Sequence, residues 1–235
     1  MKREHQGGTI RHTPLARRLN RGESDALKEV PIEQYHVAQS AVAVITHRSN
    51  PVQELRVGQL DSIYAGLVQT WPGRGRTAGI DAVIGGLNSS TNEVFRDSIM
   101  HGRGFGPAVG TKTPSGAVVQ YVGAGRDAIG IVGLDWVRGG GDGVKTVALS
   151  RPGVRLDSTQ APGLAYSPAQ AYVYKGYYPL STPVVMYLRT ASRDIALGFI
   201  SFVAGAEGQK IFVKNGLVPV TMPVRLVQLT SEQLR

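Results

Sequence analysis

The spacing of apolar residues changes period several times along this chain, and each change predicts an element. "AVAVITH", residues 41–47, is a nearly continuous β-branched run, the pattern of a buried strand. From "LRVGQLDSIYAG", residues 55–66, Leu55, Leu60, Ile63, Tyr64 and Leu67 fall on one helical face, broken by Gly66. "GIDAVIGG", residues 79–86, predicts a strand that ends in glycines. After residue 88, Val94, Phe95 and Ile99 form the buried stripe of a helix. Residues 102–116 are rich in Gly and Pro and predict a loop. A short helix over 117–122, a strand over 128–137, a glycine turn over 139–143 and a further strand in "VKTVAL" follow. Residues 150–172 carry no regular period, and 183–189 predict a strand. "SRDIALGFISFVAGAEGQKIFVKNG" predicts two helices, the first capped by Ser192 and the second ended by Asn215-Gly216. Residues 1–40 are polar and basic, with weak order signals before Val37. Strands alternating with helices predict an α/β layered fold.

One stretch raises a chemical question. In "GGLNSSTNEVF", residues 85–95, Ser89, Ser90 and Thr91 stand at the mouth of the helix. Ser90-Thr91-Asn92-Glu93 matches the S-x-x-E capping box, and plain capping is worth about 1 kcal/mol. The same place offers unpaired backbone N–H groups and a partial positive charge, which together make an oxyanion site. Cap and anion site both stand as readings of these residues.

Composition narrows the class. The 235 residues suffice for one large domain or two small lobes, and 42% hydrophobic content excludes wholesale disorder. Thirty glycines and 13 prolines favour short elements joined by tight turns, and the absence of cysteine removes any disulfide frame or thiolate metal site. With 26 Lys and Arg against 17 Asp and Glu the net charge is +9, which attracts anions in general and also serves solubility. No aromatic-interleaved basic stripe accompanies it, so a nucleic-acid partner is not expected. No apolar run approaches the roughly 20 residues of a membrane helix, and the polar residues 4–9 stand where a signal peptide would be apolar.

Catalytic patterns are missing. The five histidines are scattered, no H-E-x-x-H, G-x-S-x-G or Walker-type loop occurs, and no nucleophile–base constellation is present. Neither an enzyme, nor a metal, nor a cofactor is expected.

Several stretches in order resemble the phosphate-binding proteins of ABC transporters, the PstS-like family. They are "AVAVITHRSNPVQELRVGQLDSIYAGLVQTWPG", "SSTNEVF", "AVVQYVGAGRDAIGIVGLDWV", "YPLSTPVVMYL" and "FVAGAEGQKIFVKNGLVPV", together covering about residues 37–220. The resemblance implies a two-lobed periplasmic-binding-protein-like fold of type II, with two hinge strands and the ligand held between the lobes. It maps residues 1–45 and 180–235 to lobe one and 46–179 to lobe two, with crossings near Val44–His47 and Leu180–Val185. It implies an extracytoplasmic, monomeric protein that binds a phosphate-like oxyanion and hands it to an ABC permease.

The resemblance also carries site residues. Ser89, Ser90 through its backbone N–H, and Thr91 match the family's anion loop; His12 and Thr13, in "RHTPL", match its first-lobe contact. Two departures are expected to weaken anion binding. Gly85 stands where the family has an arginine, and His12 falls near the family's acidic residue. Lobe one is expected to be incomplete, because the family's first strand–helix–strand unit has no match. A fragment, a misplaced start or a decayed copy would each produce this pattern. The alternative function is a scaffold or binding module that retains the fold without an anion ligand.

Overall fold

The computed structural model describes residues 18–19, 21–71, 79–138, 143–153, 163–189 and 193–220. Helix α1 (Arg21–Ala26) leads into a long strand, β1 (Ile32–His47). Strand β2 (Glu54–Arg56), α2 (Val57–Tyr64), β3 (Asp81–Ile84) and α3 (Ser90–Ser98) follow, then β4 (Gly110–Thr111), α4 (Ser115–Ala124), β5 (Ala128–Gly133) and α5 (Leu134–Arg138). Next come β6 (Val144–Thr146), β7 (Ala148–Ser150), β8 (Ala165–Tyr166) and α6 (Gln170–Tyr174). Strand β9 (Ser181–Arg189), α7 (Arg193–Ala204), α8 (Ala206–Lys214) and β10 (Val218–Pro219) complete the order.

Strand β1 organises the molecule because it pairs with β9 and β10 along its first part and with β5 and β6 along its last. Residues Ile32 to Ala41 pair antiparallel with β9, and Ala38 and Gln39 also pair with β10. From Val42 onward β1 pairs antiparallel with β5, and β5 lies parallel to β3, which lies parallel to β4. A small separate sheet orders β2, β7 and β8.

Two apolar clusters follow the same division. One gathers Val37 and Ala38 with Val184, Met186 and Leu188 of β9 and Ala196, Ile200 and Val203 of α7. The other, larger cluster runs from Ala41 through β3, β5, α2, α3 and α4, and includes Leu60, Tyr64, Trp71, Phe95, Ile129 and Ile131. Between them β1 presents Ser40 and β9 presents Thr182, both buried polar residues.

Several expected elements shift, each for a physical reason. The strand predicted over 41–47 begins at Ile32, because its first half is covered on one face only and so carries polar residues such as Gln34 and His36. The helix expected from residue 55 starts at Val57; Leu55 instead belongs to β2, paired with Leu149 of β7. Leu67 leaves the apolar face and is 74% exposed, because the chain has already turned through Gly66 at φ +78°. The strand expected over 128–137 stops at Gly133, and Leu134 starts α5. Residues 150–172 contain β8 and the start of α6, each too short to show a period. Ser192 lies outside the described residues, whereas Asn215 caps α8 and Gly216 takes φ +85° as expected.

The core carries an alkaline liability. Tyr64 and Tyr178 are fully enclosed, and burial pushes both phenols well above their ordinary value of 10.0. In the unfolded chain each loses its proton near that ordinary value, while the folded chain retains it. Stability should therefore hold below pH 10 and decline above it, by about 1.4 kcal/mol per pH unit for each phenol. Urea unfolding between pH 8 and pH 11.5 checks this, and Tyr178→Phe should flatten the decline.

Candidate functional site

The start of α3 is built by its own side chains. Ser89 is the N-cap, extended at φ −74° and ψ 142°, and its Oγ accepts the Asn92 N–H at 3.2 Å. The cap thus sits one residue before the expected Ser90, and Asn92 replaces Glu93 as the residue three positions on. Asn92 is 1% exposed, and its Nδ2 donates to the carbonyls of Gly85 at 3.2 Å and Gly86 at 2.9 Å. This ties the loop to the helix from within, which a solvent-seeking glutamate would do poorly. Gly86 is required for close approach, since a Cβ there would meet Thr113 Cγ2 at 2.9 Å.

The capping question resolves residue by residue. Ser89 Oγ accepts a helix N–H, and its own hydroxyl proton stays available to donate into the hollow that it also lines. Among the described residues, no acceptor engages the N–H groups or hydroxyls of Ser90 and Thr91, and both residues line a cavity of 280 Å³. The opposite walls come from the two long strands, through Ser40, Ala41 and Val42 of β1 and Thr182 of β9. Ser115 at the start of α4 and Gly133, Asp135 and Trp136 at the β5–α5 junction complete the lining.

The chemistry of this hollow is that of hydroxyls. Ser40, Ser89, Ser90, Thr91, Ser115 and Thr182 converge on it, with one carboxylate, Asp135, and one indole, Trp136. Among the described residues, none that lines it is a lysine, arginine or histidine. Gly85 offers no cation, and His12 and Thr13 lie outside the described residues. Any negative oxygen here would rely on helix N–H groups and hydroxyls. No group of three or more metal-ligating side chains occurs among the described residues, and no single helix among them is long and apolar enough to cross a membrane.

Sequence reasoning missed Ser40, Ser115, Asp135, Trp136 and Thr182. A signal existed for two of them, because Ser40 and Thr182 are short polar residues beside apolar strand positions. Asp135 and Trp136 were hidden by reading the strand past Gly133. A second hollow of 580 Å³ lies between residues 18–32 and Tyr187, apart from α3.

Comparison with known proteins places this geometry. A sequence family described as the PBP superfamily domain matches residues 12–207. The phosphate-binding protein PstS of Pseudomonas aeruginosa PAO1 is 26% identical over 253 residues, spanning 97% of this chain and 72% of that protein. Two crystal structures share the fold. One is a candidate phosphate ABC transporter substrate-binding protein with bound phosphate from Clostridium perfringens, with a TM-score of 0.72 and 24% identity over 88% of this chain and 78% of that one. The other is an ABC-type phosphate transport receptor from Vibrio cholerae, with a TM-score of 0.67 and 20% identity over 89% of this chain and 79% of that one.

Proposed function

Because the chain belongs to the PBP superfamily, we propose that it is the substrate-binding protein of an ABC-type transporter and takes a phosphate-like oxyanion between two lobes. Residues 1–45 with 180–235 form lobe one and 46–179 form lobe two in this reading. The crossings fall near Val44–His47 and Leu180–Val185 in this reading; β1 passes from its ladder with β9 to its ladder with β5 a few residues earlier, at Ala41–Val42. Ser89, Ser90 and Thr91 then bind from lobe two, and Ser40 and Thr182 lie at the hinge. Hinge closure over the anion presents the loaded protein to a permease, outside the cytoplasm and as a monomer, with no bond made or broken. His12 and Thr13 remain part of the proposed contact set from lobe one.

The carrying observation is the pair of unengaged N–H and hydroxyl groups at Ser90 and Thr91, open to the cavity between the two cores. Phosphate is expected to raise the melting temperature by mass action, with about 2.7 kcal/mol of stabilisation at a hundred times Kd. Thr91→Ala should weaken binding roughly ten-fold or more, the loss of one hydrogen bond to a charged group, whereas Ser90→Ala keeps the backbone N–H and should cost less. Ser89→Ala should cost the cap, about 1 kcal/mol of stability, and also remove one hydroxyl donor to the anion. Isothermal titration with thermal unfolding separates the two effects. The lack of a cationic lining residue among the described residues favours one competing reading, a module that keeps the fold without an anion ligand. A folded protein indifferent to millimolar phosphate would establish that reading.

A further inference from the structure

Two buried hydroxyls stand where β1 changes partners. Ser40 and Thr182 are directly opposite one another in the ladder of β1 with β9, and Ala41 and Ser181 form its last pair. From Val42 onward β1 pairs with β5. The return strand is gripped just before this point. Tyr178 Oη donates to the Val42 carbonyl at 2.9 Å, the Val42 N–H donates to the Leu180 carbonyl at 2.9 Å, and Arg151 Nη2 donates to the Pro179 carbonyl at 3.1 Å. Tyr178 and Leu180 are buried in the larger core, so the chain is held to that core up to Leu180. Beyond it, Thr182 and its partner Ser40 belong to the β1–β9 ladder that carries the smaller core.

Residues opposite each other in a ladder project from the same face of the sheet. Both of these side chains line the hollow that Ser89, Ser90 and Thr91 line from α3. Ser40 is 8% exposed and Thr182 is 6% exposed. The Ser40 hydroxyl engages no hydrogen-bond partner among the described residues. A buried hydroxyl left without a partner costs stability, a cost that alanine would avoid at this position. A ligand oxygen in the hollow would remove that cost, and each hydroxyl can give it one proton.

Resting on the oxyanion reading above, we infer that the hinge ladder itself holds the ligand: the hydroxyls of Ser40 and Thr182 donate to anion oxygens that face away from α3. The donors on α3 move with the larger core, whereas Ser40 and Thr182 sit on the ladder that carries the smaller one. An anion that bridges the two sets fixes their separation, so occupancy of the hollow biases the angle between the lobes at the pivot.

Titration calorimetry of the full chain with inorganic phosphate tests this. Ser40→Ala and Thr182→Val should each weaken binding about ten-fold, the loss of one hydrogen bond to a charged group. Thr182→Ser keeps the hydroxyl and should retain wild-type affinity. The ligand-free melting temperature of Ser40→Ala should not fall, since no hydrogen bond within the protein is lost. Unchanged affinity in Ser40→Ala or in Thr182→Val, with the wild type binding phosphate, would overturn the inference and leave the oxyanion reading in place. A loss in Thr182→Ser as large as in Thr182→Val would overturn it too, because packing and not the hydroxyl would then be responsible. A folded wild-type protein that does not bind phosphate would remove both.

Discussion

Phe95→Ala should cost about 3–5 kcal/mol, the range for deleting a buried aromatic ring. Phe95 is 0% exposed and anchors α3 to the larger core. Its ring meets Tyr64 of α2 edge-on, with centroids 4.8 Å apart, and stacks on Phe105 at 6.0 Å. Tyr64 and Phe105 also lie 6.0 Å apart, so the three rings form a closed triangle. Removing the middle member leaves a cavity that the two others fill poorly, since Tyr64 is held by its hydroxyl on the Val83 carbonyl at 3.3 Å. For a chain of this size the loss corresponds to a fall in melting temperature of roughly 6–20 °C. Phe95→Leu should lose less than half as much. The consequence reaches the site, because Phe95 lies one helical turn beyond Thr91. A destabilised α3 should weaken oxyanion binding beyond what the fall in folded fraction accounts for. A loss below 1 kcal/mol in chemical denaturation would mean that the triangle does not anchor α3.

Gln209→Leu should be similarly severe, at about 3–6 kcal/mol, for a different reason. Gln209 is 0% exposed, and its amide serves three backbone groups at once. Nε2 donates to the carbonyls of Val37 at 3.0 Å and Val203 at 2.8 Å, and Oε1 accepts the Val220 N–H at 3.0 Å. Each partner is a group that regular structure leaves over. Val37 sits at the register shift of β1 against β9, between His36 and Ala38. Val203 lies in the last turn of α7, where carbonyls lack helical donors. Val220 follows the two-residue strand β10. Leucine fills the volume and satisfies none of them, so three buried polar groups are orphaned together. Gly208 beside it permits this contact, because a Cβ there would lie 2.5 Å from the Phe202 and Val203 carbonyl oxygens. Denaturant unfolding measures the loss. Hydrogen exchange at the Val220 amide should accelerate even under native conditions, and unchanged exchange would contradict the bridging role.

Much of this was legible beforehand. The apolar run at 41–47 locates the half of β1 that both faces of the larger core cover, and the stripe at Phe95 and Ile99 locates α3. The oxyanion candidates Ser89, Ser90 and Thr91 do line one cavity, though the cap belongs to Ser89. The shift has a cause that single-residue preferences do not encode. Asn92 is buried and its Nδ2 reaches back to two loop carbonyls, so the helix begins where that N–H group finds acceptors. Asp135 was invisible for another reason. In "AIGIVGLDWV" the apolar residues suit a strand to its end, and only packing after Gly133 makes the chain turn into α5.

The order of residues by itself determined the strand at 41–47 and the buried stripe of α3, because a period of two or of 3.6 commits an apolar face before any partner is known. It also determined that hydroxyls rather than cations open α3, since Gly85 stands in the chain whatever the fold does. Only the tertiary structure decided that β1 divides its length between two groups of partner strands, and that Ser40, Thr182, Ser115 and Asp135 meet Thr91 across one hollow. Those residues are separated by tens of positions, and no local pattern brings them together. Their meeting follows from strand pairing and core packing, whose free energy depends on contacts between segments and not on any segment's own composition.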